Sequence, residues 1–314
     1  MKLQTEVPFV SNENNLIDYS SEVLLLGSCF SENIGQRLEY FKFRSNQNPF
    51  GILFHPRAIE NLIENAIDNK IYTEDDVFFH NEQWHCFEAH SKLSNSCKNT
   101  LIDKLNAQVK FTERYINTAS HIIITLGTAW VYNFIDTDKV VANCHKIPQK
   151  QFKKILLSVE EVSSALNNIL SKIKSINFRA TVVFTVSPIR HLKDGFIENT
   201  QSKAHLLAAI HGVIANKSFY FPSYEIMMDE LRDYRFYAED MIHPNSTAIS
   251  YIWEKFQKVW LSNDALEIMH NVDAVQKGMQ HKPFNPTSAA HLKFKKQLEV
   301  KKEGLKALVP HFVF

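Results

Sequence analysis

Short runs of apolar, β-branched residues alternate along the chain with longer segments in which apolar positions recur every three to four residues. Turn residues bound the short runs, which predicts buried parallel strands rather than helices. These runs cover residues 22–27, 121–126, 180–186 and 219–221, the last continuing to residue 227, with a shorter strand near 41–44. The longer segments predict helices over residues 31–40, 56–69, 102–118, 159–174, 200–215 and 246–261.

Strands that alternate with helices predict a doubly wound α/β fold, in which a parallel sheet is flanked by helices and joined by right-handed crossovers. Ligands of such sheets bind beyond the carboxyl ends of the strands. Gly27, Gly127 and Ser187 each follow a predicted strand. We therefore expect these three turns to lie together at one edge of the sheet.

Two segments depart from the alternation. Residues 71–100 contain a predicted β-hairpin that turns at Asn81-Glu82, and we interpret this segment as an insertion near the site. The Lys-rich end of the chain contains a predicted helix over 288–307. The sequence thus predicts an α/β domain over residues 1–280 and a C-terminal helical extension over 281–314.

Composition limits the classes of function. The chain of 314 residues has 35 basic and 34 acidic side chains and a net charge of +1, which indicates neither a nucleic-acid nor a membrane partner. No run approaches the roughly 18 apolar residues of a spanning helix, and no apolar signal segment follows Met1. The four cysteines form no C-x-x-C pair. These features predict a cytoplasmic protein with free thiols that uses no cofactor.

The turn after the first strand carries two candidate nucleophiles. Gly27 is followed by Ser28 and Cys29, and a helical pattern begins at Ser31. A strand, a tight turn and a helix N-terminus present a nucleophile beside backbone N–H groups that can hold an oxyanion. In the alternative interpretation, Ser28 caps the helix and Cys29 is a small buried hydrophobic residue.

A candidate general base lies far downstream. Asp240 precedes His243 by three residues, in a loop that Pro244 ends. An aspartate can orient an imidazole while the imidazole moves a proton. In the structural alternative, Asn245 or Ser246 caps the next helix and Asp240 is an ordinary loop residue.

A nucleophile after the first strand and an Asp-x-x-His motif before the last helix form the block order of SGNH/GDSL hydrolases. The sequence resembles that superfamily, and more closely its GSCFA branch, over most of the chain. The resemblance is carried by residues 27–31 (Gly-Ser-Cys-Phe-Ser, with Ser31 where the family name has Ala), 48–51, 126–130, 143–146, 187–191 and 224–244. It implies an SGNH-type, flavodoxin-like sheet with strand order 2-1-3-4-5.

The resemblance also implies roles for single residues. The superfamily block Gly-Asp-Ser, aligned without gaps, assigns the nucleophile to Cys29, and Ser28 is the rival if the turn is rotated by one residue. Gly51 corresponds to a second oxyanion donor. The third block reads Gly127-Thr128 and lacks the superfamily's asparagine, a loss that can cost about 3 kcal/mol of transition-state stabilisation. The candidate replacements are Thr128, Asn48 and Asn143.

Other polar residues are candidate substrate-binding groups. Arg190 can hold an anionic substrate group and His191 can hydrogen-bond a sugar. Alternatively, Arg190 forms a salt bridge with the acidic residues at 229–233.

A second polar cluster contains Asn143 and His145, which can line the pocket. His90 of the insertion can cover the site, or it belongs to the hairpin's own small core. A metal site that combines this cluster with His90 and Cys29 is disfavoured because no ligand pair has zinc-site spacing.

These features predict an SGNH-like hydrolase that acts on ester bonds, either a carbohydrate O-acyl esterase or an acyltransferase. Hydrolysis and transfer share an acyl-enzyme and differ in whether water or an acceptor hydroxyl enters second. The expected partner is a small-molecule or carbohydrate ester, and the resemblance alone implies the carbohydrate. The alternative is a glycan- or small-molecule-binding protein without chemistry, which the missing asparagine favours and the Asp-x-x-His motif opposes.

Overall fold

The computed structural model describes residues 5–9 and 14–314. Its strands are β1 (Glu22–Gly27), β2 (Arg44–Gln47), β3 (Phe78–His80), β4 (Gln83–His85), β5 (His121–Leu126), β6 (Trp130–Phe134), β7 (Lys139–Val141), β8 (Phe152–Leu156), β9 (Thr181–Val186) and β10 (Ser218–Phe221). Its α-helices are α1 (Cys29–Tyr40), α2 (Pro56–Ile67), α3 (Lys98–Thr118), α4 (Val159–Ile176), α5 (Phe196–Val213), α6 (Ser223–Glu225), α7 (Ser246–Trp260), α8 (Asn263–Gln280) and α9 (Ala289–Leu308).

Five parallel strands form the central sheet in the order β2-β1-β5-β9-β10. Numbered along the chain this order is 2-1-3-4-5, so the predicted doubly wound sheet is confirmed. Thr125 pairs with Gly27 on one side and with Thr185 on the other. The carboxyl ends of β1, β5 and β9 therefore lie side by side, and the turns at Gly27, Gly127 and Ser187 meet at one edge, as predicted.

Helices cover each face of the sheet through an apolar core. Successive strand residues point to opposite faces, so Leu24 and Leu26 pack in one core while Val23 and Leu25 pack in the other. The first core joins α2, α3, α4 and α5, and the second joins α1, α7, α8 and α9. Burial on both faces explains why the central strands are continuous apolar runs rather than alternating ones.

The last strand is shorter than predicted. β10 ends at Phe221 and does not continue to Met227. Pro222 follows, and proline cannot donate a hydrogen bond to a neighbouring strand. The chain turns instead into α6 and a π-helical segment over Ile226–Leu231.

The sequence pattern does not predict two elements, the antiparallel sheet β7-β6-β8 and helix α8. Several predicted starts also differ from the structure: α3 begins at Lys98 rather than at residue 102, and α5 begins at Phe196 rather than at residue 200. β2 begins at Arg44 rather than near Phe41, and α1 begins at Cys29 rather than at Ser31. The earlier start of α1 matters for the site because Cys29 becomes the first residue of a helix.

The insertion contains the predicted hairpin, in which β3 and β4 pair antiparallel. Its turn residues Asn81 and Glu82 have left-handed φ values of 46° and 61°. At the end of the chain, Phe312 packs edge-on against Tyr19, with ring centroids 5.0 Å apart. The division between a domain and a C-terminal extension stays a prediction. Along the described residues, no helix combines the length and the apolar run that crossing a membrane requires.

Candidate functional site

The turn after β1 is built around a glycine with a left-handed backbone. Gly27 has a φ of 130°, and a Cβ at this position would lie 2.1 Å from the carbonyl oxygen of Thr125. The N–H of Ser28 donates to the same oxygen at 3.0 Å. Glycine therefore allows β1 and β5 to stay this close where the chain turns into α1.

Ser28 and Cys29 have different environments at this turn. Ser28 is buried and is the N-cap of α1, and its hydroxyl oxygen accepts the backbone N–H of Phe30 at 3.2 Å. Cys29 is half-buried, and at the first helical position its N–H has no intrahelical acceptor. Burial raises the pKa of the Cys29 thiol, Glu32 acts in the same direction, and Lys203 opposes the shift. Cys29 is thus the more accessible of the two candidate nucleophiles.

Asp240 and His243 are in direct contact. Nδ1 of His243 lies 2.6 Å from Oδ2 of Asp240, while Oδ1 of Asp240 accepts the backbone N–H groups of Ile242 and His243. The hydrogen bonds from the His243 backbone and ring lower the pKa of Asp240 to about 2. An ionised carboxylate at Nδ1 favours the tautomer whose lone pair is on Nε2, as a general base requires. Asn245 caps α7, as the structural alternative expected. Asp240, which that alternative expected to be an ordinary loop residue, instead contacts the ring of His243.

Asn48 connects the nucleophile turn to the loop after β2. Its Oδ1 accepts the backbone N–H of Gly27 at 2.9 Å. Its Nδ2 is buried and has no hydrogen-bond partner among the residues that the structure describes. The N–H of Gly51, expected to be an oxyanion donor, is instead donated to the carbonyl oxygen of Asn48 at 2.7 Å. Nδ2 of Asn48 is therefore the better candidate donor in this loop.

The turn after β5 offers no free donor of the kind expected. The N–H groups of Gly127 and Thr128 both donate to the carbonyl oxygen of Phe54, at 2.7 and 3.3 Å. The hydroxyl of Thr128 lies 2.9 Å from the hydroxyl of Ser202. Thr128 is thus engaged in internal structure and does not replace the missing asparagine.

A lysine that the sequence did not single out lies beneath the strand ends. Lys203 is 1% exposed, and its ammonium donates to the carbonyl oxygens of Gly127 at 2.7 Å and Ser187 at 2.8 Å. Burial lowers its pKa to about 7, and Cys29 opposes this shift. The sequence signal that could have indicated the burial of Lys203 is its position on the apolar stripe of α5, seven residues before the buried Ile210.

The loop after β9 contributes Arg190. Its guanidinium lies 5.5, 5.9 and 5.4 Å from the rings of Phe196, Tyr234 and Tyr237. Within residues 5–9 and 14–314 it forms no ion pair with a carboxylate, so the expected alternative, a salt bridge to residues 229–233, is not observed.

His191 directly follows Arg190 in the loop after β9. Its Nε2 is buried without a partner in the described part of the chain, and a Cβ on Gly127 would lie 2.8 Å from that nitrogen. Burial lowers the pKa of His191 to about 3, and the charges of Lys203 and His243 act in the same direction. The ring is therefore neutral at physiological pH and lies close to the acid–base pair.

One surface hollow is lined both by the end of the acid–base loop and by α1. Pro244, which directly follows His243, lines one surface hollow together with Asn33 of α1. Asn33 lies one helical turn beyond Cys29. The acid–base loop and α1 therefore contribute to the same surface hollow, and the catalytic roles of Cys29 and His243 stay predictions.

The insertion reaches this edge through His90. A Cβ on Gly51 would lie 2.4 Å from Cβ of His90, and Gly51 has a left-handed φ of 75°. Burial lowers the pKa of His90, and Lys92 acts in the same direction. His90 therefore presents a half-buried imidazole next to the loop of Asn48.

Asn143 and His145 have mainly internal partners. The ring nitrogens of His145 lie 2.7 Å from the carbonyl oxygen of Cys86 and 3.2 Å from the hydroxyl of Ser91. Oδ1 of Asn143 accepts the backbone N–H of His145. His145 thus offers no ring nitrogen to a substrate, in contrast to the expectation. In the part of the chain that the structure describes, no three His, Cys, Asp or Glu side chains could hold a metal ion.

Comparison with known proteins gives a family and a distant structural likeness. The model of the GSCFA family matches residues 22–256, and that of the GSCFA domain protein, C-terminal domain, matches residues 272–314. No curated protein matches the chain. Among solved structures, the chain is similar to an acetyl xylan esterase (Est2A) from the rumen bacterium Butyrivibrio proteoclasticus, with 10% identity and a TM-score of 0.37. The likeness covers 85% of this chain and 66% of the esterase chain.

Proposed function

This chain belongs to the GSCFA family, and from that premise we propose that it is an SGNH-like hydrolase of ester bonds, with Cys29 as nucleophile and His243 as general base. The observation that carries the proposal is the contact of 2.6 Å between His243 and Asp240. A carboxylate-oriented imidazole beside a strand–turn–helix nucleophile suits acyl chemistry.

The choice of Cys29 over Ser28 is supported by what each side chain already does. The Ser28 hydroxyl is buried and occupied as a helix cap, whereas the Cys29 thiol is half-buried and has no such task. Burial raises the pKa of Cys29, so the resting group is the thiol. Attack then requires removal of the thiol proton by a base, which is the role proposed for His243.

In the proposed reaction, Nε2 of His243 accepts the thiol proton while the sulfur of Cys29 bonds to the ester carbonyl carbon. Collapse of the tetrahedral intermediate breaks the bond between that carbon and the alkoxy oxygen, and His243 returns the proton to the leaving alcohol. Water, deprotonated by the same imidazole, then cleaves the thioester, which releases the acid and restores the thiol. An acceptor hydroxyl in place of water would give acyl transfer.

For the oxyanion we propose two donors, the backbone N–H of Cys29 and Nδ2 of Asn48. The first is supported by its position at the start of α1 and the second by its burial without a partner in the described chain. Removal of such a donor costs roughly 3 kcal/mol in known hydrolases. The substrate class that we propose, a small-molecule or carbohydrate ester, follows from the resemblance to SGNH hydrolases.

The test is turnover of p-nitrophenyl acetate by the wild type, four site variants and one control variant. We expect Cys29→Ala and His243→Ala each to lose at least about 100-fold in kcat/KM, and Asp240→Asn to lose less than His243→Ala. Ser28→Ala should keep most of the activity and lose stability through its cap. Cys97→Ser, which removes an exposed thiol outside the site, is the control. Wild-type turnover in both Cys29→Ala and His243→Ala would refute the proposal.

The second candidate function is a binding protein on the same fold. It is favoured by the occupied N–H groups of Gly51 and Gly127, which leave fewer oxyanion donors than superfamily enzymes have. Under this alternative, the wild type and Cys29→Ala would react equally slowly with the ester.

A further inference from the structure

A cavity of about 340 Å³ opens beside the acid–base loop. Its walls come from the loop after β9, the start of α5, the π-helical segment and the turn that follows it. The side chains that matter here are Arg190, Phe196, Tyr224, Tyr234 and Tyr237, all of which line the cavity. Phe196 and Tyr234 are 66% and 63% exposed, so much aromatic surface in this region is not covered by protein.

Arg190 is a positioned cation without a counterion in the described chain. Three rings surround its guanidinium, and Nη1 donates to the carbonyl oxygen of Met241 at 3.3 Å. A guanidinium has five N–H donors, so most of them are unused. The nearest acidic residue that lines the cavity, Asp233, pairs with Arg235 at 3.0 Å.

We propose that this cavity binds a sugar ring that carries an anionic group, a carboxylate or a phosphate, with Arg190 holding the anion. The planar guanidinium matches the oxygens of either group in a bidentate manner. The exposed aromatic rings offer apolar faces for the C–H side of the sugar. Arg190 is held in place by its neighbours, so little side-chain entropy remains to be lost on binding.

Arg190 connects the cavity to the acid–base loop. The backbone N–H of Arg190 donates to the carbonyl oxygen of Ile242 at 3.2 Å, and its side chain reaches Met241, both of which directly precede His243. An anionic sugar at Arg190 would therefore hold its ester close to the imidazole. To this extent the inference rests on the proposed function and names the substrate class of that site.

The test measures the binding of three probes by isothermal titration calorimetry. The probes are D-glucuronate, glucose 6-phosphate and D-glucose. We expect saturable binding of at least one anionic sugar, weakened by 0.5 M NaCl, and at least about tenfold weaker binding of D-glucose. Comparison of the two anionic probes distinguishes a carboxylate from a phosphate. Arg190→Met should weaken the anionic probe about tenfold or more. Arg179→Met, which removes an exposed arginine that does not line the cavity, should bind as the wild type.

Equal binding of D-glucose and both anionic sugars, no saturable binding of any probe, or unchanged binding by Arg190→Met would each overturn the inference. If Arg190→Met does not fold, the wild-type contrast between charged and neutral sugars decides alone. The Cys29→Ala variant separates this inference from the proposed function. Loss of ester turnover with intact sugar binding supports both, whereas sugar binding by a wild type without turnover supports only the cavity.

Discussion

At the scale of single residues, the candidate site contains polar groups whose hydrogen bonds are incomplete. Nδ2 of Asn48 and Nε2 of His191 are buried without partners in the described chain, while the N–H groups of Gly51 and Gly127 are occupied. A buried polar atom without a partner costs roughly 1–3 kcal/mol. A ligand oxygen that accepts from such an atom recovers part of this cost, so Asn48 and His191 are candidate ligand contacts.

Lys203 should make the stability of the protein depend on pH. Its pKa is about 7 in the folded chain against a reference of 10.5, so the unfolded chain binds more protons between these values. Stability therefore rises with pH through this window, and the cost of the buried charge is fully present below about pH 7. We expect the stability of Lys203→Met relative to the wild type to be about 3 kcal/mol greater at pH 6 than at pH 9.

Urea unfolding of both proteins at the two pH values measures this difference. Lys301→Met, at an exposed position of α9, is the matched control and should show no such dependence. A stability difference that is the same at both pH values would mean that Lys203 is not buried as a titrating group.

The sequence predicts some residues of the site and not others, for a physical reason. Cys29, Asp240 and His243 are recognisable because their chemistry and spacing are local properties of the chain. Lys203 is not, because lysines on helices are usually exposed, and its burial depends on carbonyl groups from the turns after two different strands. The sequence also does not predict that the N–H of Gly51 donates to the carbonyl oxygen of Asn48, because a backbone partner is defined only once the loop has folded.

At the scale of elements, the site depends on the junction between β1 and α1. The central strands could be predicted because burial on both faces requires continuous apolar runs. The sheet β7-β6-β8 could not, because its strands mix exposed lysines with half-buried residues, as in β8. The sequence left the start of α1 open, since Ser28 as its cap was only the alternative interpretation, and the hydrogen bond from the Phe30 N–H to Ser28 places the start at Cys29.

A side chain at Gly27 should destabilise this junction. Its φ of 130° and the distance of 2.1 Å from a Cβ to the Thr125 carbonyl oxygen leave no room for alanine. We expect Gly27→Ala to lower the free energy of unfolding by more than about 2 kcal/mol. Gly304→Ala in α9, where a Cβ meets nothing within 4 Å, is the control and should stabilise by about 0.5–1 kcal/mol. Denaturant unfolding measures both changes, and a Gly27→Ala variant as stable as wild type would contradict the geometry.

At the scale of the whole molecule, one sheet separates two apolar cores and its carboxyl edge carries the candidate site. The first core is formed by helices that were all predicted. The second includes α8, which was not predicted, and the C-terminal segment, which was expected to be an extension. Leu298, Leu305, Val309 and Phe312 of that segment are buried in the second core together with Tyr19. The position of the extension on this face could not be read from the sequence, because the contacts join residues nearly 300 positions apart.

The C-terminal segment should therefore unfold together with the sheet rather than on its own. Phe312 is 3% exposed and packs against Tyr19, so we expect Phe312→Ala to lower the free energy of unfolding by about 3 kcal/mol. Val313→Ala, at a neighbouring side chain that is 76% exposed, should change it by less than about 0.5 kcal/mol. Urea unfolding is monitored by circular dichroism for all helices and by fluorescence of the four tryptophans, of which Trp253 and Trp260 lie in the second core. Coincident shifts of both probes would mean one cooperative unit, whereas an unchanged fluorescence transition would mean that the extension is a separate unit, as the sequence predicts.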